Sequence, residues 1–256
     1  MPDKLESINP ADGSFINSYP ITSTLEVEGV LKLATECFES WRKESLERRA
    51  KVLNNIALEL RKQKEHLAML ATLEMGKPIQ QGREEVEKCA GCLEYYATHG
   101  AEFLADDIIK TEAQKSYVSF QPIGVVLAIM PWNFPYWQVF RAFAPTVMAG
   151  NVVILKHASN VTGCALAIAQ IILEGGAPQG LMQTLVLPSS SVSSLIDHKA
   201  VAAITLTGST NAGRKVAEAA GRNLKKVVLE LGGSDAYVIL ADADVDEAAE
   251  ICVNGR

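Results

Sequence analysis

The sequence predicts a doubly wound α/β fold with a mostly parallel sheet, preceded by a helical region. From about residue 116, short runs of Val, Ile and Leu alternate with segments whose apolar residues recur at helical spacing. Most of the runs are continuous rather than alternating, as expected of strands buried on both faces of a parallel sheet. Before residue 116 the patterns are helical, apart from one short extended lead.

The first region, residues 1–115, is predicted to be the helical part. Residues 8–13 predict an extended lead with a turn, because they combine Asn, Pro, Asp and Gly. Gly76 ends one helix and Pro78 suits the first turn of the next. Apolar residues at helical spacing, with charges between them, predict four helices at 25–41, 46–63, 64–74 and 79–103.

The second region, residues 116–256, is predicted to form the Rossmann-like part, and no flexible linker is expected between the two. Strands are predicted at 116–122, 125–130, 152–155, 184–187, 201–205, 226–229 and 237–240. Helices are predicted at 137–148, 162–174, 191–198, 211–221 and 245–253. In such a fold, ligands bind beyond the carboxyl ends of the strands.

Composition excludes several classes of function. The chain has 256 residues, a formal net charge of -6 and no basic stripe, so nucleic acid is not expected as a partner. No apolar stretch has the length of a membrane span, and residues 1–6 lack the pattern of a signal peptide. A soluble, cytoplasmic protein that does not bind membranes is therefore expected.

The five cysteines predict neither a disulfide framework nor a metal site. Their number is odd and their spacing is scattered. Cys89 and Cys92 form a Cys-x-x-Cys within a helical pattern, without a second pair that could complete a zinc site. They are interpreted as neighbouring helical thiols, and a redox motif is the alternative.

Two polar segments directly follow predicted strands. Asn133 lies between two prolines, and such a rigid turn could present the side-chain amide to a developing oxyanion. The alternative is a plain turn with an Asx hydrogen bond. Lys156 ends the next predicted strand and could bind a ribose hydroxyl or a phosphate, or could be a solvated lysine. Ser159 or Asn160 could cap the following helix.

Two further segments come after later strands. The turn at Gly208 and Ser209 opens a helix and offers free backbone N–H groups to a pyrophosphate, although any capped helix start has this pattern. Glu230 ends an apolar strand and could serve as a general base, since an apolar environment raises the pKa of a carboxyl group. The alternative is that Glu230 pairs with Lys225 or Lys226.

Taken together and in this order along the chain, the four polar segments resemble those of the aldehyde dehydrogenase superfamily. The resemblance covers essentially the whole chain. The matching segments are 74–78, 131–135, 149–151 leading to Lys156, 175–180, 207–209 and 229–233. The resemblance implies an incomplete aldehyde dehydrogenase fold that binds NAD or NADP. It makes Asn133 the oxyanion-hole amide and Glu230 the base. It assigns cofactor contacts to Trp132, Lys156, Ser159, Pro178, Gly208, Ser209, Leu231 and Gly232.

Within that superfamily the chain is most similar to bacterial succinate-semialdehyde dehydrogenases, on the runs at 155–158 and 231–235. Arg141 matches a position where related enzymes bind the substrate's carboxylate, which suits a guanidinium; a surface ion pair is the alternative. Many NAD-specific members place a Glu three residues after the lysine. Here that residue is Ser159, so NADP is plausible beside NAD.

The family's nucleophile is a cysteine in a Gly-Gln-x-Cys segment beyond the helix that follows the base. The 256 residues contain no such segment, and Cys252 is interpreted as a core thiol. We therefore expect the cofactor-binding part of such an enzyme, without its catalytic domain and inactive alone. The full-length relatives are expected to act on a small aldehyde and to form homo-oligomers. The alternative is a non-catalytic NAD(P)-binding remnant or interaction fragment.

Overall fold

The computed structural model describes residues 3–255, and the chain begins with a hairpin. Strands β1 (Lys4–Ile8) and β2 (Phe15–Pro20) pair antiparallel. The predicted turn joins them, with Gly13 at φ +73° and the Asn9 carboxamide oxygen accepting a bond from Ala11 N. The turn was predicted, but the pairing of the two strands was not.

Four long helices come next, as predicted, with their ends within a few residues of the predicted positions. They are α1 (Thr24–Trp41), α2 (Leu46–Lys62), α3 (Lys64–Met75) and α4 (Ile79–Phe103). Ser23 begins α1 with a reciprocal capping box to Glu26. Gly76 ends α3 in the left-handed conformation, at φ 74°, where a side chain would be strained.

The connection from α4 to the sheet contains only a short ladder, β3 (Asp107–Ile108) with β4 (Tyr117–Val118). The strand predicted over 116–122 is therefore reduced to two residues. Tyr117 and Phe120 are about half exposed. Without burial of its apolar side chains, a short strand gains little from its own sequence preference.

The predicted parallel sheet is present, which confirms the doubly wound α/β class. Its five strands are β5 (Val125–Met130), β6 (Val152–His157), β7 (Met182–Thr184), β8 (Val201–Thr207) and β9 (Lys226–Glu230). They pair in the order β7-β6-β5-β8-β9, all parallel. The helices between and after them are α5 (Trp137–Met148), α6 (Thr162–Glu174), α7 (Val192–Asp197), α8 (Thr210–Arg222) and α9 (Val245–Asn254).

The strand order produces a switch point beside β5. The chain enters the sheet at β5, proceeds outward through β6 and β7, and then returns to place β8 on the other side of β5. The connections at the carboxyl ends of β5 and β8 therefore lead away in opposite directions and leave a crevice between them.

One hydrophobic core joins the helical part to the sheet, with buried residues from α1 through α8. All six residues of β6 are buried, so both faces of the sheet are covered at that strand. At β9 only one face is covered: Val227 and Leu229 pack against the core, whereas Val228 is 60% exposed. Among residues 3–255, no helix is both long and apolar enough to cross a lipid bilayer.

Two strand predictions are corrected. The strand predicted at 184–187 lies earlier, at Met182–Thr184, where it pairs with β6. The strand predicted at 237–240 is absent, and its side chains are 49–82% exposed. An apolar run becomes a strand when a neighbouring strand and a covering layer are available. Within the described residues, nothing covers this run.

Candidate active site

A cleft of about 570 Å³ lies at the carboxyl edge of the sheet, at the switch point. The connections after β5, β8 and β9 line it, because parallel strands bring their carboxyl ends to one edge. Of the residues proposed from the sequence, the cleft brings together Trp132, Asn133, Arg141, Gly208, Ser209, Glu230, Leu231 and Gly232.

The turn that carries Asn133 is held by a buried ion pair. Glu85 Oε1 accepts hydrogen bonds from the backbone N–H groups of Tyr136 and Trp137, each at 2.8 Å. Glu85 Oε2 lies 2.5 Å from Lys77 Nζ, and both side chains are at least 96% buried. The Lys77 ammonium also lies 3.8 Å from the centroid of the Phe134 ring. A carboxylate from α4 thus fixes the start of α5 next to Asn133.

A second contact holds the same turn from within the sheet. His157 Nε2 lies 2.9 Å from the carbonyl oxygen of Pro135, and Nδ1 accepts a hydrogen bond from Ala158 N at 2.8 Å. The imidazole therefore donates through Nε2 as a neutral tautomer. Burial lowers the pKa of His157 to about 4, since the charged form loses its solvation.

Arg141 projects from α5 into the cleft. Its Nη2 donates hydrogen bonds to Gln138 Oε1 and to Thr207 Oγ1, both at 3.1 Å. Its Nη1 lies 3.6 Å from Glu230 Oε2. The guanidinium is thus fixed on one side by neutral acceptors and faces a carboxylate on the other.

Glu230 ends β9, and its side chain is 54% exposed. Its ion-pair partner is Arg141, so the alternative pairing with Lys225 is wrong. Lys225 instead donates to the carbonyl oxygens of Ile196 and His198. The carboxylate is therefore accessible from the cleft rather than bound to Lys225 or to Lys226, the first residue of β9.

Ser209 has the predicted position at a helix start. Its Oγ accepts a hydrogen bond from Ala212 N at 3.2 Å and caps α8. The segment therefore also fits the alternative interpretation as an ordinary capped helix start. The amide of Gly208 donates to the carbonyl oxygen of Glu230. The α8 N-terminus consequently points its positive end toward the cleft.

Lys156 is not a solvated lysine, since it is only 4% exposed. Its Nζ lies 3.5 Å from Ser189 Oγ, and burial lowers its pKa from the ordinary value. Ser189 also lines a hollow of about 200 Å³ between α7 and α8, together with Ala212 and Val216. Sequence reasoning missed this hollow; the Pro-Ser-Ser-Ser run at 188–191 was the available signal.

The structure does not place Pro178 near the other predicted cofactor-binding residues. Met182 pairs with Val153, near the amino end of β6, and Pro178 precedes Met182 by four residues. Gly180, between them, packs against Leu33 and Cys37 of α1. Pro178 therefore lies toward the amino edge of the sheet, whereas Lys156 lies toward the carboxyl edge, so the structure does not bring these two predicted cofactor contacts together.

Ser159 begins a 3-10 turn directly after β6, but neither it nor Asn160 caps α6. Glu74 performs that role across the fold. Its carboxylate accepts from Gly163 N and Cys164 N, each at 2.9 Å, although it is 1% exposed. The roles of Glu74, Lys77 and Glu85 were missed, because sequence periodicity does not reveal which charged residues are buried and paired.

The cysteines supply no further site. Cys252 is only half-buried on α9, a helix with no buried residue, so its interpretation as a core thiol is wrong. Cys89 and Cys92 lie on α4, as predicted. In residues 3–255 there is no cluster of His, Cys, Asp and Glu side chains that could hold a metal ion.

Comparison with known proteins identifies the family. The model of the aldehyde dehydrogenase family matches residues 1–256. The chain is 47% identical over 252 residues to a protein of Synechocystis sp. named "Probable succinate-semialdehyde dehydrogenase [NADP(+)]", covering 98% of this chain and 56% of that protein. It is 44% identical over 250 residues to an Escherichia coli succinate semialdehyde dehydrogenase named for NAD(P)+, covering 98% of this chain and 54% of that protein.

A solved structure shows the same fold. Succinic semialdehyde dehydrogenase from Streptococcus pyogenes, crystallised with NADP+, superposes with a TM-score of 0.92 at 38% identity. The match covers 96% of this chain and 54% of that one. The chain thus spans about half the length of the relatives it matches. Together with the family model over residues 1–256, these relatives show that the chain belongs to the aldehyde dehydrogenase family.

Proposed function

We propose that this chain is the NAD(P)-binding part of an enzyme that oxidises an aldehyde, succinate semialdehyde, to the carboxylic acid. One observation carries the proposal: the amide-bearing Asn133 and the carboxylate-bearing Glu230 line the same cleft. They come from connections almost a hundred residues apart. The names of the relatives support the substrate, and Arg141 in the cleft supplies a cation suited to its carboxylate.

The residues present fit a dinucleotide. The N–H groups at the start of α8, beside Gly208 and Ser209, suit a pyrophosphate. Lys156 suits the adenosine ribose or its phosphate, and the hollow between α7 and α8 suits the adenine. Trp132 and the Leu231–Gly232 segment would lie by the nicotinamide end. Ser159, a small neutral residue after Lys156, tolerates the 2′-phosphate of NADP.

The same cleft suits the chemistry of aldehyde oxidation. When bound, the nicotinamide would accept the hydride that the aldehyde carbon loses. The Asn133 amide would donate to the oxyanion that forms on that carbon. Glu230 would take a proton from the water that hydrolyses the acyl-enzyme, and Arg141 would hold the distal carboxylate. The nucleophile is proposed to be a cysteine outside these 256 residues.

Titration of the 256-residue chain with NADPH and NADH tests the cofactor assignment. We expect saturable binding, seen as enhanced nicotinamide fluorescence and as quenching of tryptophan fluorescence, since Trp132 lines the cleft and is 51% exposed. Lys156→Ala should weaken NADPH binding about tenfold, because it removes a buried cation. Lys199→Ala, at an exposed lysine, is the matched control. Absence of saturable binding to the folded chain would contradict the proposal.

The second test concerns turnover. Succinate semialdehyde and NADP+ mixed with the 256-residue chain should give no NADPH above background, because loss of a catalytic nucleophile typically costs several orders of magnitude in rate. Turnover by this chain alone, measured at 340 nm, would overturn the assignment of the nucleophile to another segment.

A further inference from the structure

The guanidinium of Arg141 has two unequal sides. Nη2 is held by two neutral acceptors, Gln138 and Thr207, at hydrogen-bond distance. Nη1 lies 3.6 Å from the Glu230 carboxylate, which is longer than a hydrogen bond. The contact with Glu230 is therefore the weaker of the two.

We propose that the Arg141–Glu230 ion pair is a latch that a carboxylate ligand opens. A carboxylate bound at Nη1 would replace Glu230 as the partner of Arg141 and release the Glu230 side chain into the cleft. This inference rests on the proposed function, since it takes Arg141 as the site of the substrate's carboxylate. An aldehyde without a carboxylate would leave the latch closed and the base engaged.

Arg141 is suited to exchange partners without moving. Thr207 is the last residue of β8, and Gln138 lies in the first turn of α5, where Glu85 fixes the backbone. Both acceptors of Nη2 are thus on rigid elements. The guanidinium should keep its orientation while its Nη1 partner changes, which preserves the planar geometry that a carboxylate requires.

Glu230 is suited to be the partner that leaves. Its side chain is 54% exposed and that of Arg141 is 36% exposed. Ion pairs this exposed contribute little to stability, because water solvates the separated charges well. A bidentate carboxylate can therefore displace Glu230 at low cost.

The latch also lines two cavities. Arg141 and Glu230 both line the cleft of about 570 Å³, and both line a trough of about 420 Å³ along the sheet face at Val126 and Val228. The ion pair is therefore part of the wall of both spaces. Opening it would let the Glu230 carboxylate move within the cleft that Asn133 also lines.

Succinate is the probe for the test, since it carries carboxylates but cannot react. Its affinity for the chain is measured by calorimetry in wild type, Glu230→Ala and Glu230→Asp. Glu230→Ala removes the competitor. Glu230→Asp keeps the charge but withdraws it by about 1.5 Å, one carbon–carbon bond. We expect both variants to bind succinate about two- to fivefold more tightly, the range of an exposed ion pair.

Glu218→Gln is the matched control, because it removes a carboxylate from an exposed ion pair with Arg222 on α8. It should leave succinate affinity unchanged. If only Glu230→Ala tightens binding, a general loss of negative charge explains the result and the latch is wrong. If wild type and both variants bind equally, the latch is also wrong, although the proposed substrate class survives. If NADPH binds and succinate binds to none of them, the proposed substrate class itself fails.

Discussion

The imidazole Nε2 of His157 lies 2.9 Å from the carbonyl oxygen of Pro135. This contact joins the last residue of β6 to the end of the turn that presents Asn133. The turn is therefore held both from α4, through Glu85, and from β6, through His157. Two independent buried contacts on one short turn indicate that its geometry is fixed before any ligand binds.

The free energy of unfolding of the chain should decrease as the pH is lowered from 6.5 to 4, because of His157. Its pKa is about 4 in the folded chain and about 6.5 when unfolded, so in this window only the unfolded state takes up the proton. This stabilisation is complete above the unfolded pKa and is lost as pH falls. From pH 7 to pH 5 we expect a loss of about 2 kcal/mol, measured by urea unfolding.

His157→Gln provides the comparison, since an amide can donate to Pro135 but does not titrate. The variant should be less stable at pH 7 and should lose less stability on acidification. Because other groups titrate in both proteins, the difference between the two pH profiles isolates His157. Parallel profiles would show that His157 does not carry this dependence.

The buried Lys77–Glu85 pair should respond asymmetrically to mutation. Glu85→Gln leaves the Lys77 ammonium buried without a counter-charge, and such losses cost about 3–5 kcal/mol. The double variant Lys77→Met, Glu85→Gln removes both charges of the pair and keeps a carboxamide acceptor for the N–H groups of Tyr136 and Trp137. It should be more stable than Glu85→Gln alone.

Urea unfolding at neutral pH measures both variants. Glu65→Gln is the control, since Glu65 forms an exposed ion pair with Arg83 and its loss should leave the midpoint unchanged. A double variant less stable than the single one would show that Lys77 stabilises the fold mainly through its contact with the Phe134 ring.

The sequence predicted the elements whose signal is local. The four long helices and the parallel strands follow from periodicity, and the end of α3 follows from Gly76. The pairing of β1 with β2 was missed. That hairpin is held by distant contacts, such as the approach of the Tyr19 hydroxyl to Glu74 at 3.4 Å. Residues 237–240 carry a strand pattern, but no strand within residues 3–255 pairs with them.

The lining of the cleft was predictable for a topological reason. Parallel strands bring the connections at their carboxyl ends to one edge of the sheet, so Asn133, Ser209 and Glu230 could be grouped without coordinates. Pro178 does not join them, because it lies before a strand rather than after one. The pairing of Arg141 with Glu230 could not be predicted from the sequence either, since several lysines and arginines were equally available as partners of Glu230.

Ser159→Glu should change the cofactor preference toward NADH. Ser159 lies three residues after Lys156, at the carboxyl end of β6. A carboxylate there would repel the 2′-phosphate of NADPH and accept from the 2′-hydroxyl of NADH. NADPH affinity should fall about tenfold or more, and NADH affinity should hold or rise, in the fluorescence titration.

The exposed Ser194 on α7 offers a control for that substitution, because Ser194→Glu adds the same charge elsewhere. It should affect NADPH and NADH equally. An equal loss for both cofactors in Ser159→Glu would indicate general disruption of the site and would contradict a role in distinguishing the 2′ group.

Gly213→Ala should weaken cofactor binding without loss of stability. A Cβ at Gly213, in the first turns of α8, would lie 2.6 Å from Leu231 Cδ2, so the leucine side chain must move. Leu231 is 39% exposed and lines the cleft, so it can shift, but only by changing the wall of the site. Alanine also favours the helix by up to about 1 kcal/mol.

Gly221→Ala, near the end of the same helix, separates the two effects, since its Cβ would meet nothing within 4 Å. It should raise the free energy of unfolding and leave NADPH affinity unchanged. Gly213→Ala should lower that affinity severalfold at similar or higher stability. If both variants bind NADPH as wild type does, Leu231 does not contact the cofactor. If Gly213→Ala instead unfolds the chain, the leucine is less free to move than its exposure indicates.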